Sequence, residues 1–234
     1  MRIKILSLIF IVLPVLVACQ AVPRPADEDG LTRPAQARDL SLPEGRSYLV
    51  LPRQSEVRFV VSPAGALARF GHPHVIGGAA IDGEIRLAED FHDSGLELVI
   101  DVAQLVVDRP NWRLDEGFEP DMSESAIEDT RRNMLAADQL DAENNPFIEI
   151  RSIGLSGPRW QPDIEAQITL AGQTRELTVP VTLSMDDYNL TAVGRFSIRQ
   201  SEFGITPFSA AGGSLQVADE VLIRFRIMAM AFDD

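Results

Sequence analysis

Three histidines, one cysteine and a few close pairs of carboxylates are the side chains here with the means for metal, nucleophilic or acid–base chemistry. His72 and His74 stand two apart, so on an extended segment both imidazoles point to one side and could reach one metal ion. A structural zinc site takes four ligands and a catalytic one three. The remaining histidine, His92, falls on a separate stretch, so His72 and His74 are weak metal candidates and no bound metal is expected. Hydrogen bonding to a turn, or to the head group of a ligand, is the role expected of them. Ser62, Ser152 and Ser201 lack the glycine-framed turn that activates a hydrolase serine. The acidic pairs Asp186 with Asp187 and Asp141 with Glu143 lie in polar, turn-like sequence and read as solvated. Gly71, Gly77, Gly204, Gly212 and Gly213 precede no helix start, so they suit bends and bulges of a sheet and not a phosphate cradle. No catalysis and no cofactor are expected.

The cysteine, Cys19, carries the sharper signal. It closes Leu16-Val17-Ala18-Cys19 behind an apolar run from Ile5 to Val17 that opens with Arg2 and Lys4. A basic start, a short apolar stretch and a small residue before the cut are the parts of a secretory signal, and Pro14 argues against a lasting membrane helix. The tetrad looks like a bacterial lipobox. The expectation is a signal peptide over residues 1–18, with lipid on Cys19 and residues 19–45 as a linker rich in proline (Pro23, Pro25, Pro34, Pro43). Gln20 follows the cysteine in place of an aspartate, which favours an outer-membrane address in the cell envelope, with the domain in the periplasm. The chain has 35 acidic residues against 21 basic ones and a formal charge of −14. Loss of Arg2 and Lys4 makes the remainder more acidic still, so nucleic acid is not an expected partner and a covalent lipid is the sensible membrane tether.

The rest, residues 46–234, is long enough for one domain with its own core. Period-two alternation dominates it. In Arg175–Leu183 the apolar Leu177, Val179, Val181 and Leu183 alternate with Glu176, Thr178, Pro180 and Thr182. The same pattern runs through Val57–Val61, Ile81–Leu87, Leu96–Val102, Ile164–Leu170, Leu190–Ile198 and Val221–Ala229. Turns are expected at 154–158, 171–173 and 185–189. About eight strands with short turns and one apolar face make an antiparallel sheet curled into a barrel, or a sandwich. Pro180 lacks a ladder donor, so a bulge or an unpaired stretch is expected there. Residues 121–138 differ: Ala126, Ile127, Thr130, Met134 and Leu135 fall at helical spacing, and Asp121 with Glu124 can form a capping box. This segment is read as one inserted amphipathic helix. The loop before it, residues 108–120, carries Trp112 and Phe118, which are expected to pack it down.

Four stretches in this order resemble one family. They are Phe70-Gly71-His72-Pro73-His74-Val75 with Gly77-Gly78, Asn133-Met134-Leu135 leading to Asn145-Pro146-Phe147-Ile148, Ile168 to Arg175, and Ser201 to Phe208. Together they are similar to the YceI-like polyisoprenoid-binding family over nearly all of Tyr48 to Phe232. The chain differs from many members at Ala171, where a histidine is common, while Gly172 keeps the turn. The resemblance implies an all-β fold, an antiparallel lipocalin-like barrel of about eight strands with one helix beside it. It also implies a lumen that holds a long isoprenoid chain or quinone tail. The residues put forward to line that lumen are Phe59, Phe70, Ile85, Ile100, Phe147, Ile168, Val179, Phe196, Phe203, Phe208 and Phe225. Two other readings stay open. One is an envelope interaction module with a filled barrel, and the other a metal-dependent envelope enzyme built on His72 and His74.

Overall fold

The computed structural model of the chain describes residues 42–232 and the backbone of the short strand Arg33–Pro34. The signal segment, Cys19 and most of the linker lie outside the described residues. Ten strands of five residues or more follow: β1 (Arg46–Val50), β2 (Glu56–Ala64), β3 (His74–Gly78), β4 (Ile81–Leu87), β5 (Gly95–Asp101), β6 (Phe147–Ser156), β7 (Asp163–Leu170), β8 (Gln173–Met185), β9 (Asn189–Arg199) and β10 (Leu215–Phe232).

Their pairing is an antiparallel meander in which each stave joins the next in sequence. β1 and β2 form one stave broken at residues 51–55, and β3 and β4 another broken at residues 79–80. β1 pairs β4 while β2 pairs β3. The sheet then runs from β4 through β5, β6, β7, β8 and β9 to β10. The long β10 returns to β2 through Gln216–Arg226 and to β1 through Ala229–Phe232, so the eight staves close into a barrel. Closure removes the free sheet edges that would invite aggregation.

Two local details show the sequence at work. The β7–β8 hairpin turns on Ala171 and Gly172, both left-handed (φ 48° and 74°), which matches the twist of the flanking strands. Pro180 pairs with Asp163 on the β7 side, and pairing with β9 begins at the next residue, Val181 opposite Gly194. Val181 donates its N–H to Pro162, so the proline nitrogen faces the β9 side at the point where that ladder has not yet begun. No ladder bond is lost there.

Between β5 and β6 the chain leaves the barrel and forms two helices, α1 (Pro110–Asp115) and α2 (Glu124–Leu135). The sequence led to one inserted helix, and α1 is additional: six residues with Pro110 at the start are too few to show a period. α2 begins later than residue 121. Its cap is Ser123, whose hydroxyl accepts from the Ala126 N–H, and not Asp121. Trp112 is buried under stacked Arg109 and Arg58, so the loop is packed down by it as expected. Arg131 donates to the carbonyls of Leu105 and Ala103, which pins α2 across one end of the barrel. Tyr48, Ile85, Leu190 and Ala229 pack together at the other end. No helix among the described residues is long and apolar enough to cross a membrane.

Candidate functional site: an apolar lumen with a polar mouth

Inward positions of the staves meet in a chamber of about 110 Å³ whose wall is built entirely of apolar side chains. Phe59 of β2, Ile100 of β5, Ile168 of β7, Val179 of β8, Phe196 of β9 and Phe225 of β10 are among them. The rings of Phe196 and Phe225 meet edge to face with centroids 6.3 Å apart. Gly194 makes room for this. A Cβ there would stand 2.5 Å from the Phe225 ring and 2.6 Å from the Pro180 carbonyl oxygen. Nothing in this wall can hydrogen-bond, so its selectivity is for shape and apolar area.

A second chamber of about 210 Å³ adjoins the first and shares Phe59, Ile148, Leu170 and Ile198 with it. It lies beneath α2, which contributes Thr130, Asn133 and Met134, and Gln139, Gln200 and His74 add polar atoms to its rim. His74 is held from behind. Its Nδ1 donates to Asp108 Oδ2 at 2.6 Å, which directs the other ring nitrogen away from the carboxylate. Asp108 Oδ1 accepts from the Val75 N–H at 2.9 Å and from Arg113 at 2.8 Å, and Arg113 also donates to the carbonyls of Pro73 and Glu119. Asp108 and Arg113 are both fully buried (1% and 2% exposed), so this is an interior ion pair, and Asp108 adopts the left-handed backbone that Asp tolerates (φ 53°).

Burial alone would push the Asp108 carboxyl up, but the hydrogen bonds from His74, Val75 and Arg113 outweigh it and hold it below its ordinary value of 3.8. A carboxylate with a lowered folded-state pKa adds stability above the unfolded value, and that stability is lost as pH falls from there through the folded value. The share of the fall in urea midpoint that Asp108 carries should therefore come below about pH 4, and the fall there should be smaller in Asp108→Asn. Equal drops would mean that Asp108 does not carry the acid sensitivity.

Of the residues put forward from sequence, Phe59, Ile85, Ile100, Ile168, Val179, Phe196 and Phe225 line the inner chamber, and Phe59 and Phe208 the outer one. Three stand elsewhere. Phe70 is 62% exposed under Arg69, and Phe147 is 47% exposed because β6 turns Ile148 and Ile150 inward. Phe203 is buried in a 3-10 turn, packed in the core without bordering either chamber. His72 and His74 do not act together: His72 is exposed, His74 binds Asp108, and His92 reaches the Gly157 carbonyl on a distant loop. No three potential ligands converge on one point among the described residues. The sequence reading missed Asp108 and Arg113. A non-glycine left-handed residue leaves no local pattern, and Asp108 and Arg113 do not stand out among Arg109, Asp115, Glu116 and Glu119 of the same loop.

The fold has solved counterparts. BcnA of Burkholderia cenocepacia superposes with a TM-score of 0.58 at 18% identity, covering 76% of this chain and 98% of that one. The YCEI protein of Campylobacter jejuni gives 0.48 at 12% identity over 65% of this chain and 82% of that one. A mutant of it with a monobromobimane guest gives the same score at 11% identity over the same shares. No curated protein sequence matches the chain. The YceI-like domain matches residues 48–229, all but the outermost few residues of the closed barrel with its inserted helices, and on that match the chain belongs to the YceI-like family.

Proposed function

We propose that this protein binds a long apolar ligand of isoprenoid or quinone type, the chain lying in the lumen and the head group at the mouth beside His74, without acting on it chemically. The observation that carries this reading is the wholly apolar wall of the inner chamber, joined to a second chamber whose rim bears His74, Asn133, Gln139 and Gln200. Each buried CH₂ contributes roughly 0.8 kcal/mol, so tail burial alone can hold such a ligand. The chambers are small beside ligand clefts of roughly 300–1,000 Å³. A long chain therefore enters by displacing side chains, with flexible Met134 of α2 giving way in the outer chamber and Phe59 at the joint with the inner one. That small volume also favours the competing reading of a filled barrel that serves as an interaction module. Native mass spectrometry with a short prenyl quinone separates them: a saturable one-to-one adduct is expected, and no adduct would leave the interaction module.

The reading includes a lipid anchor at Cys19 and an outer-membrane address, so that the barrel works at a membrane as an envelope lipoprotein. Its support is the lipobox sequence and the acidic surface, which needs a covalent tether. A Cys19→Ala variant should accumulate as precursor and take up no acyl label. Normal labelling of that variant would remove the anchor.

A further inference from the structure

The chain is strongly acidic, yet its barrel carries a row of arginines on the outer face. Arg58 on β2 stands opposite Arg224 on β10, and Arg224 stands opposite Arg195 on β9; Arg226 lies two residues along β10. Directly opposed like charges destabilise a sheet, so this row opposes folding unless something else uses it. Two of the four are accounted for. Arg58 bonds Glu56 and Asp115, and Arg224 bonds Glu116, so these two tie the end of α1 to the barrel. Arg195 and Arg226 are exposed and make no ion pair among the described residues. They line an external groove of about 560 Å³ together with Glu56, which stands opposite Arg226 and is held by Arg58, and with Gln161 and Thr182 as neutral hydrogen-bonding groups.

We propose that this groove, outside the lumen, is a binding site for a phosphate-type dianion, with Arg195 and Arg226 as the groups that hold it. Two guanidinium forks match the oxygens of a phosphate monoester in both charge and geometry. Arg58 and Arg224, whose charges are met by Glu56, Asp115 and Glu116, shape the groove without adding positive charge. The phosphate can belong to a soluble ester or to a lipid head group, since both present the same dianion.

The test uses the full chain in a non-ionic detergent, titrated calorimetrically with glycerol 3-phosphate and separately with lysophosphatidic acid. One-to-one binding is expected, weakening as salt is added, and falling about tenfold or more in the Arg195→Gln, Arg226→Gln double variant. Arg195→Gln relieves the repulsion from Arg224, and Arg226→Gln leaves Glu56 to Arg58, so near-native melting is expected, and a melting curve of the variant keeps a folding defect from imitating the loss. Much tighter binding of lysophosphatidic acid, again lost in the variant, assigns the site to a lipid head group; equal affinity assigns it to a soluble ester. No binding of either probe, or binding unchanged in the variant, overturns the proposal.

Discussion

Replacing Asp108 with alanine should lower stability by about 3–5 kcal/mol, the range seen when one partner of a buried ion pair is removed. The change leaves the Arg113 guanidinium buried with only carbonyl partners, frees the Val75 N–H, and places alanine in a left-handed conformation. Asp108→Asn keeps an acceptor and tolerates that backbone, so its loss should be smaller, about 1–3 kcal/mol. Urea unfolding of the three proteins side by side gives both differences. An Asp108→Ala variant within about 1 kcal/mol of the native chain would show that the network contributes little. Because Asp108 also fixes the His74 ring, both variants should weaken a ligand whose head group meets His74 more than one that is only a hydrocarbon.

Filling the inner chamber should abolish lipid binding while leaving the barrel folded. Ala192 points inward from β9, and a tryptophan there occupies the room a chain would take. Overpacking of this kind lowers stability by about 1–3 kcal/mol, which a closed barrel can absorb. The matched control is Val99→Trp, on β5 between the inward Leu98 and Ile100 but itself 39% exposed on the outer face. Bound lipid should fall at least about tenfold in Ala192→Trp and stay unchanged in Val99→Trp. Equal occupancy in the two would place the lipid outside the lumen.

The barrel was legible because its staves alternate. Leu177, Val179, Val181 and Leu183 announce an inward face, and the structure packs all four inside. Parity also held the answer for Phe147: Ile148 and Ile150 are the inward members of β6, so its neighbour had to face out. The aromatic character of Phe147, and of Phe70, outweighed position in the sequence reading. The breaks that split the first two staves went unread, although Pro52 stands in the first and Gly77-Gly78 beside the second. The mouth was not legible. His74 meets Asp108 across 34 residues, and that contact exists only once Val106 and Val107 pair with Gly77 and Ile76 of β3. The nearby His72 offered a simpler pairing that the fold does not make.

The central claim, that the lumen holds an apolar chain, is tested most directly by mass spectrometry of organic extracts from the purified full-length protein, scored against the Ala192→Trp variant prepared in parallel. A prenyl lipid at near one per native chain, and depleted in the variant, is the predicted result. An extract from the native chain with no lipid above the level in the variant would contradict it.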